Sequence, residues 1–350
     1  MREARDFAGL SFPFAAGVAA SAFLPLHLSP FALPLLPAPV LLMTDRRLRR
    51  YFRISAPIVF FLLGVLCFAL SNLPGPDIPV PAFAGRAMEY FDSLMEKSGF
   101  RENTSALLRA LLTGRRDALS PGVAASFRAA GASHILALSG LHLGIIYLII
   151  SKLLAFLGRS RPAAVLRSVA VVAACAGFTL VTGACPSMVR ALIFIVFAEL
   201  LRHSPGRSRD PLLIWCAALM IQLAINPQVI GSTGFQLSYL AMLGISLVFP
   251  VLDGWYPPSR GPLRKIWSSM ALSISAQAFT APLVWVRFGT FPVYFLVTNL
   301  LAMPLTSALM ACAIASLALS AFGLDANIAA RATDAIAAAL TGTLDIIAGL

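Results

Sequence analysis

The chain has 350 residues, of which 59% are hydrophobic and only 12% are charged, and its mean hydropathy is +0.84. This composition excludes an ordinary soluble globular protein, because the apolar residues come in runs long enough to cross a bilayer. Considered alone, the formal net charge of +12 would favour nucleic acid or anionic lipid as a partner, so the positions of the cations decide what it means.

The apolar runs predict an all-α, polytopic membrane helix bundle with about ten segments that cross or partly cross the membrane. The predicted segments are Phe7–Leu26, Ser29–Met43, Ile54–Leu73, His134–Leu157, Ala163–Thr182, Met188–Leu201, Pro211–Ile225, Gly234–Val251, Ile266–Val286 and Pro292–Phe322. They divide the chain into N-terminal transmembrane segments (1–73), an extracytoplasmic linker with amphipathic helices (74–132) and a transmembrane permease core (133–350).

The cations indicate the orientation of these segments. The loop "TDRRLRRYFR" carries five arginines and one aspartate, which predicts a cytoplasmic loop. Alternation from there places the N-terminus in the cytoplasm and puts three more basic clusters on the same side. These hold Arg159, Arg161 and Arg167; Arg202, Arg207 and Arg209; and Arg260, Arg264 and Lys265. Most of the net charge therefore reflects topology and is not evidence for DNA binding.

The long extramembrane stretch Pro74–Ala132 predicts three short helices. The first has an apolar stripe made by Ala87, Tyr90, Phe91, Leu94 and Met95. Asn103 is expected to cap the second, which Gly114 ends, and Ser120 precedes the third, which Gly131 ends. Two interpretations stay open: the helices lie in the membrane interface, or they pack over the bundle.

The stretch "SHILALSGLHLGII" brings polar groups into a predicted span. Ser139 and His142 are three residues apart and share a helix face, with His134 just above it. Gly140 and Gly144 form a small-xxx-small pair that favours close approach of another helix. Polar groups at this depth need a protein partner or water.

Other predicted spans contribute similar groups. Arg190 lies one turn inside its span, three residues after Ser187, at a cost of about 2.5–3.5 kcal/mol if central. Glu199, on the same helix, is too distant to pair with it. Further polar groups are Gln236, Tyr239, Gln277 and Asn299, with Gly234, Pro282 and Pro304 nearby. Singly, each is more often a helix-to-helix hydrogen bond than a site. Together they suggest helices broken near Pro282 and Pro304 around a polar cavity.

Four sequence blocks carry a resemblance to a known family. They are "LLTGRRDALSPGVAASFRAAGASHILALSGLHLG", "TGACPSMVRALIF", "NPQVIGSTGFQLSYLAMLG" and "APLVWVRFGTFPVYFLVTNLLAMPL", in this order between Arg101 and Met310. In content and order they resemble the ComEC/Rec2 competence proteins, inner-membrane channels for single-stranded DNA in natural transformation. The resemblance implies a channel role for Ser139, His142, Arg190 and Gln236.

The chain departs from that family in two respects. Pro74–Phe100 is too short for the family's oligonucleotide-binding-like barrel. The four histidines, His27, His134, His142 and His203, form no two-metal cluster of the kind found in its metallo-β-lactamase-like domain. We expect either a shortened branch of the family or a chain that ends early, and "TGTLDIIAGL" mildly favours the latter. Scattered cysteines without a CxxC pair predict no disulfide, and we expect no metal and no cofactor.

The function predicted from the sequence is inward passage of single-stranded DNA through the inner membrane, and we do not expect an enzyme. Because the sequence contains no phosphate loop, the energy is expected from a cytoplasmic ATPase partner, alongside a DNA receptor, membrane lipid and a homo-oligomeric assembly. One alternative is a transporter for a smaller anionic solute. Another is an intramembrane serine hydrolase with Ser139 as nucleophile beside His142, although no third group that would orient the histidine is evident.

Overall fold

The computed structural model describes residues 2–24, 52–72, 82–158, 160–202, 210–257, 261–289 and 293–349. Within these ranges the chain is helical and contains no β-strand. The helices are α1 (Arg2–Phe23), α2 (Phe52–Ser71), α3 (Ala82–Lys97), α4 (Glu102–Thr113), α5 (Pro121–Ala129), α6 (Ser133–Leu136), α7 (Gly140–Leu153), α8 (Arg161–Val181), α9 (Pro186–Arg202), α10 (Pro211–Ile225), α11 (Thr233–Gly254), α12 (Pro262–Phe288), α13 (Phe295–Ala321) and α14 (Asn327–Ala348). Short 3-10 turns follow α7 (Leu154–Leu157) and α10 (Pro227–Gly231).

The prediction of an all-α membrane helix bundle is confirmed. Six helices in the described ranges are long and apolar enough to cross a membrane: α1, α7 with its 3-10 turn, α8, α11, α12 and α13. Helices α2 and α10 are apolar but shorter. Helix α9 has 17 residues, including Arg190, Glu199 and Arg202. The predicted segment Ser29–Met43 lies outside the described residues.

Two main apolar cores hold the bundle together. In the first, α1 packs with α10 and α11 around Val18, Trp215 and Leu223. In the second, α4 and α6 pack with α13 and α14 around Leu108, Leu309 and Leu340. A smaller cluster around Leu143, Cys175 and Met188 joins α7, α8 and α9. Each is a continuous set of side chains removed from solvent, which is the principal stabilising contribution in a packed helix bundle.

Among the described glycines, those that another helix approaches most closely are not the predicted pair. A Cβ at Gly17 would overlap the carbonyl oxygen of Phe61, and a Cβ at Gly64 would overlap that of Phe14, so α1 and α2 cross through these two residues. Gly244 of α11 likewise lies against the carbonyl of Ser275 on α12. By contrast, a Cβ at Gly140 would lie 3.4 Å from that of Ala191, an ordinary contact, and Gly144 has open space beside it. The close approach of another helix expected at this pair is therefore absent at Gly144 and is only an ordinary contact at Gly140.

The three short helices predicted in the extramembrane stretch, here called the cap helices, correspond to α3, α4 and α5 and form close to where the sequence places them. Gly114, with φ 79°, ends α4, and Ser120 accepts a hydrogen bond from Val123 N–H at the start of α5. Asn103 is not the N-cap residue of α4, because it lies within the helix. The backbone N–H of Arg101, just before α4, instead donates to Asp334 Oδ1 of α14 at 3.2 Å. Helix α4 buries four leucines, Leu107, Leu108, Leu111 and Leu112, which favours a packing helix over an interfacial one.

Three expectations about helix continuity are corrected. The span predicted to begin at His134 is interrupted: α6 ends at Leu136, Ala137 and Ser139 are extended, and α7 begins at Gly140. The expected breaks at Pro282 and Pro304 are not observed, since α12 and α13 continue through both residues. A proline removes only one backbone donor, and packed membrane helices tolerate that loss. Gly234 sits in the first turn of α11 without close neighbours.

Helix α14 was not predicted as a separate element. Its buried face consists of Ala330, Thr333, Ala337, Leu340, Leu344 and Ile347, spaced by three or four residues. That face packs against α13, α4 and α5. The sequence has a helical period, but alanines, threonines and charged residues replace much of the leucine and valine of an ordinary span. A search for long apolar runs therefore passes over it.

Candidate functional site

The start of α7 is built around Ser139 and His142. Ser139 is the N-cap residue, with φ −129° and ψ 168°. Its backbone N–H donates to His142 Nδ1 at 3.1 Å, and its Oγ lies 2.9 Å from the same nitrogen. A ring nitrogen that accepts from a backbone N–H carries no proton, so the neutral imidazole holds its proton on Nε2. His142 is fully buried, and Nε2 has no hydrogen-bond partner among the described residues.

The interruption before α7 is held by two side chains from other parts of the chain. Ser187, in the first turn of α9, donates to the carbonyl of Leu138 at 2.5 Å. Arg116, in the loop after α4, donates to the carbonyl of Leu136 at 2.9 Å. Because both carbonyls are bonded, an extended segment is accommodated inside the bundle without unsatisfied acceptors at these two positions.

The N-terminal turns of α7 and α9 lie side by side. The Ser187 to Leu138 hydrogen bond joins them, and Gly140 faces Ala191. The first N–H groups of any helix have no acceptor within that helix, and its N-terminus carries a partial positive charge. Gly140 and Pro186 are exposed at this junction. Pro186 has no N–H, and the N–H groups of Met188 and His142 already donate to the carbonyls of Cys185 and Ser139, so the junction offers an approaching anion mainly the partial positive charge of two helix N-termini.

Arg190 lies on α9, one helical turn after Pro186. Its side chain is only 5% exposed, and its guanidinium carbon is 5.5 Å from the centre of the Tyr239 ring. Nη1 is buried without a hydrogen-bond partner, and no carboxylate in the described part of the chain forms an ion pair with it. A cation–π contact offsets only part of the cost of burying a guanidinium. The site thus holds a buried positive charge with unused donor capacity.

Tyr239 contacts Arg190 and connects the three helices α9, α10 and α11. Its hydroxyl donates to Gln222 Oε1 at 2.9 Å, and Gln222 Nε2 donates to the carbonyl of Pro186 at 2.9 Å. Trp215 Nε1 donates to the carbonyl of Tyr239 at 2.9 Å. These bonds fix the ring face that Arg190 contacts. Gln222 was missed by the sequence analysis, and the signal for it was a lone polar residue inside the apolar α10.

Two more of the polar residues singled out from the sequence, Gln277 and Asn299, lie between α12 and α13. Asn299 Nδ2 donates to Ser273 Oγ at 3.4 Å, while Asn299 Oδ1 and Gln277 Nε2 are buried without partners in the described structure. Ser273 and Gln277 are four residues apart and share a face of α12. Among the described residues, no hydrogen bond or ion pair joins this group to Arg190 or His142. The structure therefore brings the predicted residues into two groups.

The remaining predicted residues have local partners. Gln236 Nε2 donates to the carbonyl of Ile230 at 2.8 Å, which closes the 3-10 turn onto α11. His134 is exposed on α6, and its Nδ1 lies 3.2 Å from the carbonyl of Gly131. A cavity of about 230 Å³ lies between α3, α4 and α8, and its apolar lining includes Phe91 and Phe178. None of the polar residues singled out from the sequence lines this cavity.

Comparison with known proteins adds information about relatives. The family model described as "Competence protein" matches residues 111–350. ComE operon protein 3 of Bacillus subtilis (strain 168) is 26% identical over 204 residues, which is 58% of this chain and 25% of that protein. The aligned part thus spans a quarter of the length of this relative. No solved structure matches the chain.

Proposed function

The chain belongs to the competence protein family, and from that premise we propose that it is a membrane protein of DNA uptake that passes single-stranded DNA into the cytoplasm. The proposed setting is the inner, cytoplasmic membrane, with the N-terminus of the chain in the cytoplasm. The cap helices then face the side from which the strand arrives. The partners proposed with it are a cytoplasmic ATPase, a DNA receptor and further copies of the same chain.

One observation carries this proposal: the buried Arg190 guanidinium lacks a carboxylate partner in the described structure. A helix bundle that needed only packing would gain from an apolar residue here, because an uncompensated buried charge is costly. An anion that enters the junction between α7 and α9 would supply the missing partner. Phosphodiester groups are monoanionic and occur at every nucleotide, so a passing strand offers such a group repeatedly.

The neighbouring donors fit the same ligand. His142 Nε2–H has no partner among the described residues, and the N-terminus of α7 beside it carries a partial positive charge. Donors of this kind bind phosphate oxygens irrespective of the attached base. The proposed passage is therefore tolerant of DNA sequence at this site. Rearrangement of α7 relative to α9 would be needed to admit the strand, since His142 is fully buried.

Arg190→Gln tests the proposal in a transformable host that lacks its own homologue. We expect about a ten- to hundredfold fall in transformation, the size associated with losing a charged hydrogen-bond partner. Arg190→Lys should keep part of the activity, because an ammonium still attracts phosphate. The matched control is Arg331→Gln, which makes the same change at an exposed arginine of α14. Full uptake by an abundant, membrane-inserted Arg190→Gln protein would exclude this role.

The smaller anionic solute remains a second candidate, and the burial of Arg190 favours it. A site 5% exposed suits a single small anion without the rearrangement that a strand requires. Uptake into vesicles that contain the purified chain separates the two candidates. Inhibition of labelled oligonucleotide uptake by other oligonucleotides but not by inorganic phosphate supports the strand, and the reverse pattern supports the solute.

The serine hydrolase has weaker support. The 2.9 Å distance between Ser139 Oγ and His142 Nδ1 suits a nucleophile and its base. A triad also needs a group that orients the base from its other nitrogen. In the described residues His142 Nε2 has no such partner, so we retain transport as the proposed function.

A further inference from the structure

Helix α9 carries a second buried charge, and it faces away from the first. Glu199 is 4% exposed and lies nine residues after Arg190. At 3.6 residues per turn, nine residues are about 2.5 turns, so the two side chains point to opposite sides of the helix. Arg190 contacts α11, whereas Glu199 contacts α7 and α8. Glu199 is therefore outside the anion site described above.

Hydroxyl groups and a guanidinium contact the Glu199 carboxylate. Tyr147 of α7 donates to Oε1 at 2.5 Å, and Ser168 of α8 donates to Oε2 at 2.5 Å. Arg202 Nη1 lies 3.2 Å from Oε1, and Arg202 Nη2 donates to Tyr147 Oη at 3.4 Å. The carboxylate thus connects three helices, and the guanidinium that contacts it belongs to a side chain that is 46% exposed.

These contacts suit a carboxyl group that changes its protonation state. A hydroxyl can donate or accept, so a protonated Glu199 can donate to Tyr147 Oη or Ser168 Oγ and keep a hydrogen bond. Arg202 can then turn to water, because nearly half of its side chain is already exposed. The Asp253 carboxylate differs, because both of its oxygens accept from the Arg264 guanidinium and protonation would disrupt that paired contact.

We propose that Glu199 is a proton-binding site that exchanges its proton with the aqueous phase at the Arg202 end of α9. A hydronium ion transfers a proton to one carboxylate oxygen and leaves water, and no electrons move. The titratable or charged groups around it are Tyr147 of α7, Cys175 of α8 and Arg202 of α9. Protonation weakens the contact of Glu199 with Arg202 and reverses one hydrogen bond that ties α7 or α8 to α9.

Infrared difference spectroscopy of the full chain in lipid vesicles tests this directly. We expect a carboxylic acid C=O band of Glu199 that grows as the pH is lowered, in addition to the bands of the other carboxyl groups. Glu199→Gln should remove that band, and the control Asp253→Asn should leave it in place. The proposal is overturned if the folded Glu199→Gln protein gives the same pH-dependent spectrum as the unchanged chain.

A second variant keeps the test decisive if Glu199→Gln does not fold. Tyr147→Phe removes one hydrogen-bonding partner but leaves the carboxyl group, so the Glu199 band should shift in frequency and titrate at a different pH. An unchanged band and midpoint would refute the assignment. Neither measurement involves DNA, so the proton site and the proposed strand passage can fail independently.

Discussion

The hydroxyl of Tyr239 donates to Gln222 Oε1 at 2.9 Å while the face of its ring lies 5.5 Å from the Arg190 guanidinium carbon. One side chain thus joins the packing of α10 and α11 to the buried charge of α9. The hydrogen bond and the cation–π contact use different parts of the tyrosine. They can therefore be separated by mutation.

Tyr239→Phe should lower stability more than it lowers uptake. The ring that faces Arg190 remains, but Gln222 Oε1 loses its donor in a buried position, at a cost of about 1–3 kcal/mol. Thermal unfolding of the purified protein should show this decrease. A double-mutant cycle with Gln222→Met should give a coupling of about 0.5–3 kcal/mol. Additive effects of the two substitutions would contradict the hydrogen bond.

Gly64→Ala should destabilise the pair formed by α1 and α2. The added Cβ would overlap the carbonyl oxygen of Phe14, so the two helices must separate. The matched control is Gly144→Ala in α7, where the methyl group meets open space and helix propensity improves by up to about 1 kcal/mol. Detergent melting curves should rank the control at or above the unchanged chain and Gly64→Ala well below both. Equal melting temperatures for the two variants would contradict the close crossing.

Ser187→Ala should loosen the interruption that precedes α7. The carbonyl of Leu138 loses its 2.5 Å donor from α9, so the extended segment opens more often. Hydrogen exchange at residues 138–142 should become faster, while exchange in α14 stays the same. Ser93→Ala is a suitable control because Ser93 donates to the Tyr90 carbonyl within its own helix. Unchanged exchange in Ser187→Ala would mean that other contacts hold the segment.

Single cysteines in a cysteine-free background test the orientation that the cation distribution predicts. Asp117→Cys lies in the exposed loop after α4, and Arg161→Cys lies at the exposed start of α8. With the N-terminus in the cytoplasm, an impermeant thiol reagent added to intact cells should label the Asp117→Cys protein. The reagent should label the Arg161→Cys protein only after the cells are permeabilised. Labelling of the Arg161→Cys protein alone in intact cells would invert the orientation.

Local sequence patterns predicted the helices well because apolar runs and caps act over short distances. The start of α5 at Ser120 and Pro121 and the end of α4 at Gly114 follow from capping preferences and from the conformational freedom of glycine. The interruption at Ala137 and Leu138 was not predictable in this way. Both residues are apolar and compatible with helix, and the extended backbone is held by Ser187 and Arg116, which are distant in sequence.

The candidate site, too, was predictable from the sequence only where a single segment determines it. Arg190 could be singled out because a lone arginine in an apolar helix is costly wherever it packs. Its contact with Tyr239 and the role of Gln222 depend on how α9, α10 and α11 are arranged, which no single segment encodes. The glycine pattern failed for a related reason. Whether a small residue meets a neighbouring helix depends on its rotation in the bundle, so Gly144 faces open space while Gly64 does not.

The packing of α4 against α14 has a consequence for biosynthesis. Leu107 and Leu340 belong to one apolar core, yet about 230 residues separate them along the chain. At about 5–20 residues per second, a ribosome needs about 10–50 s to make the second residue after the first. During that interval the leucines of α4 can pack only against nearby parts of the same core, such as Met95, Phe127 and Ile135. This core is therefore completed only after α13 and α14 have been made, late in the synthesis of the chain.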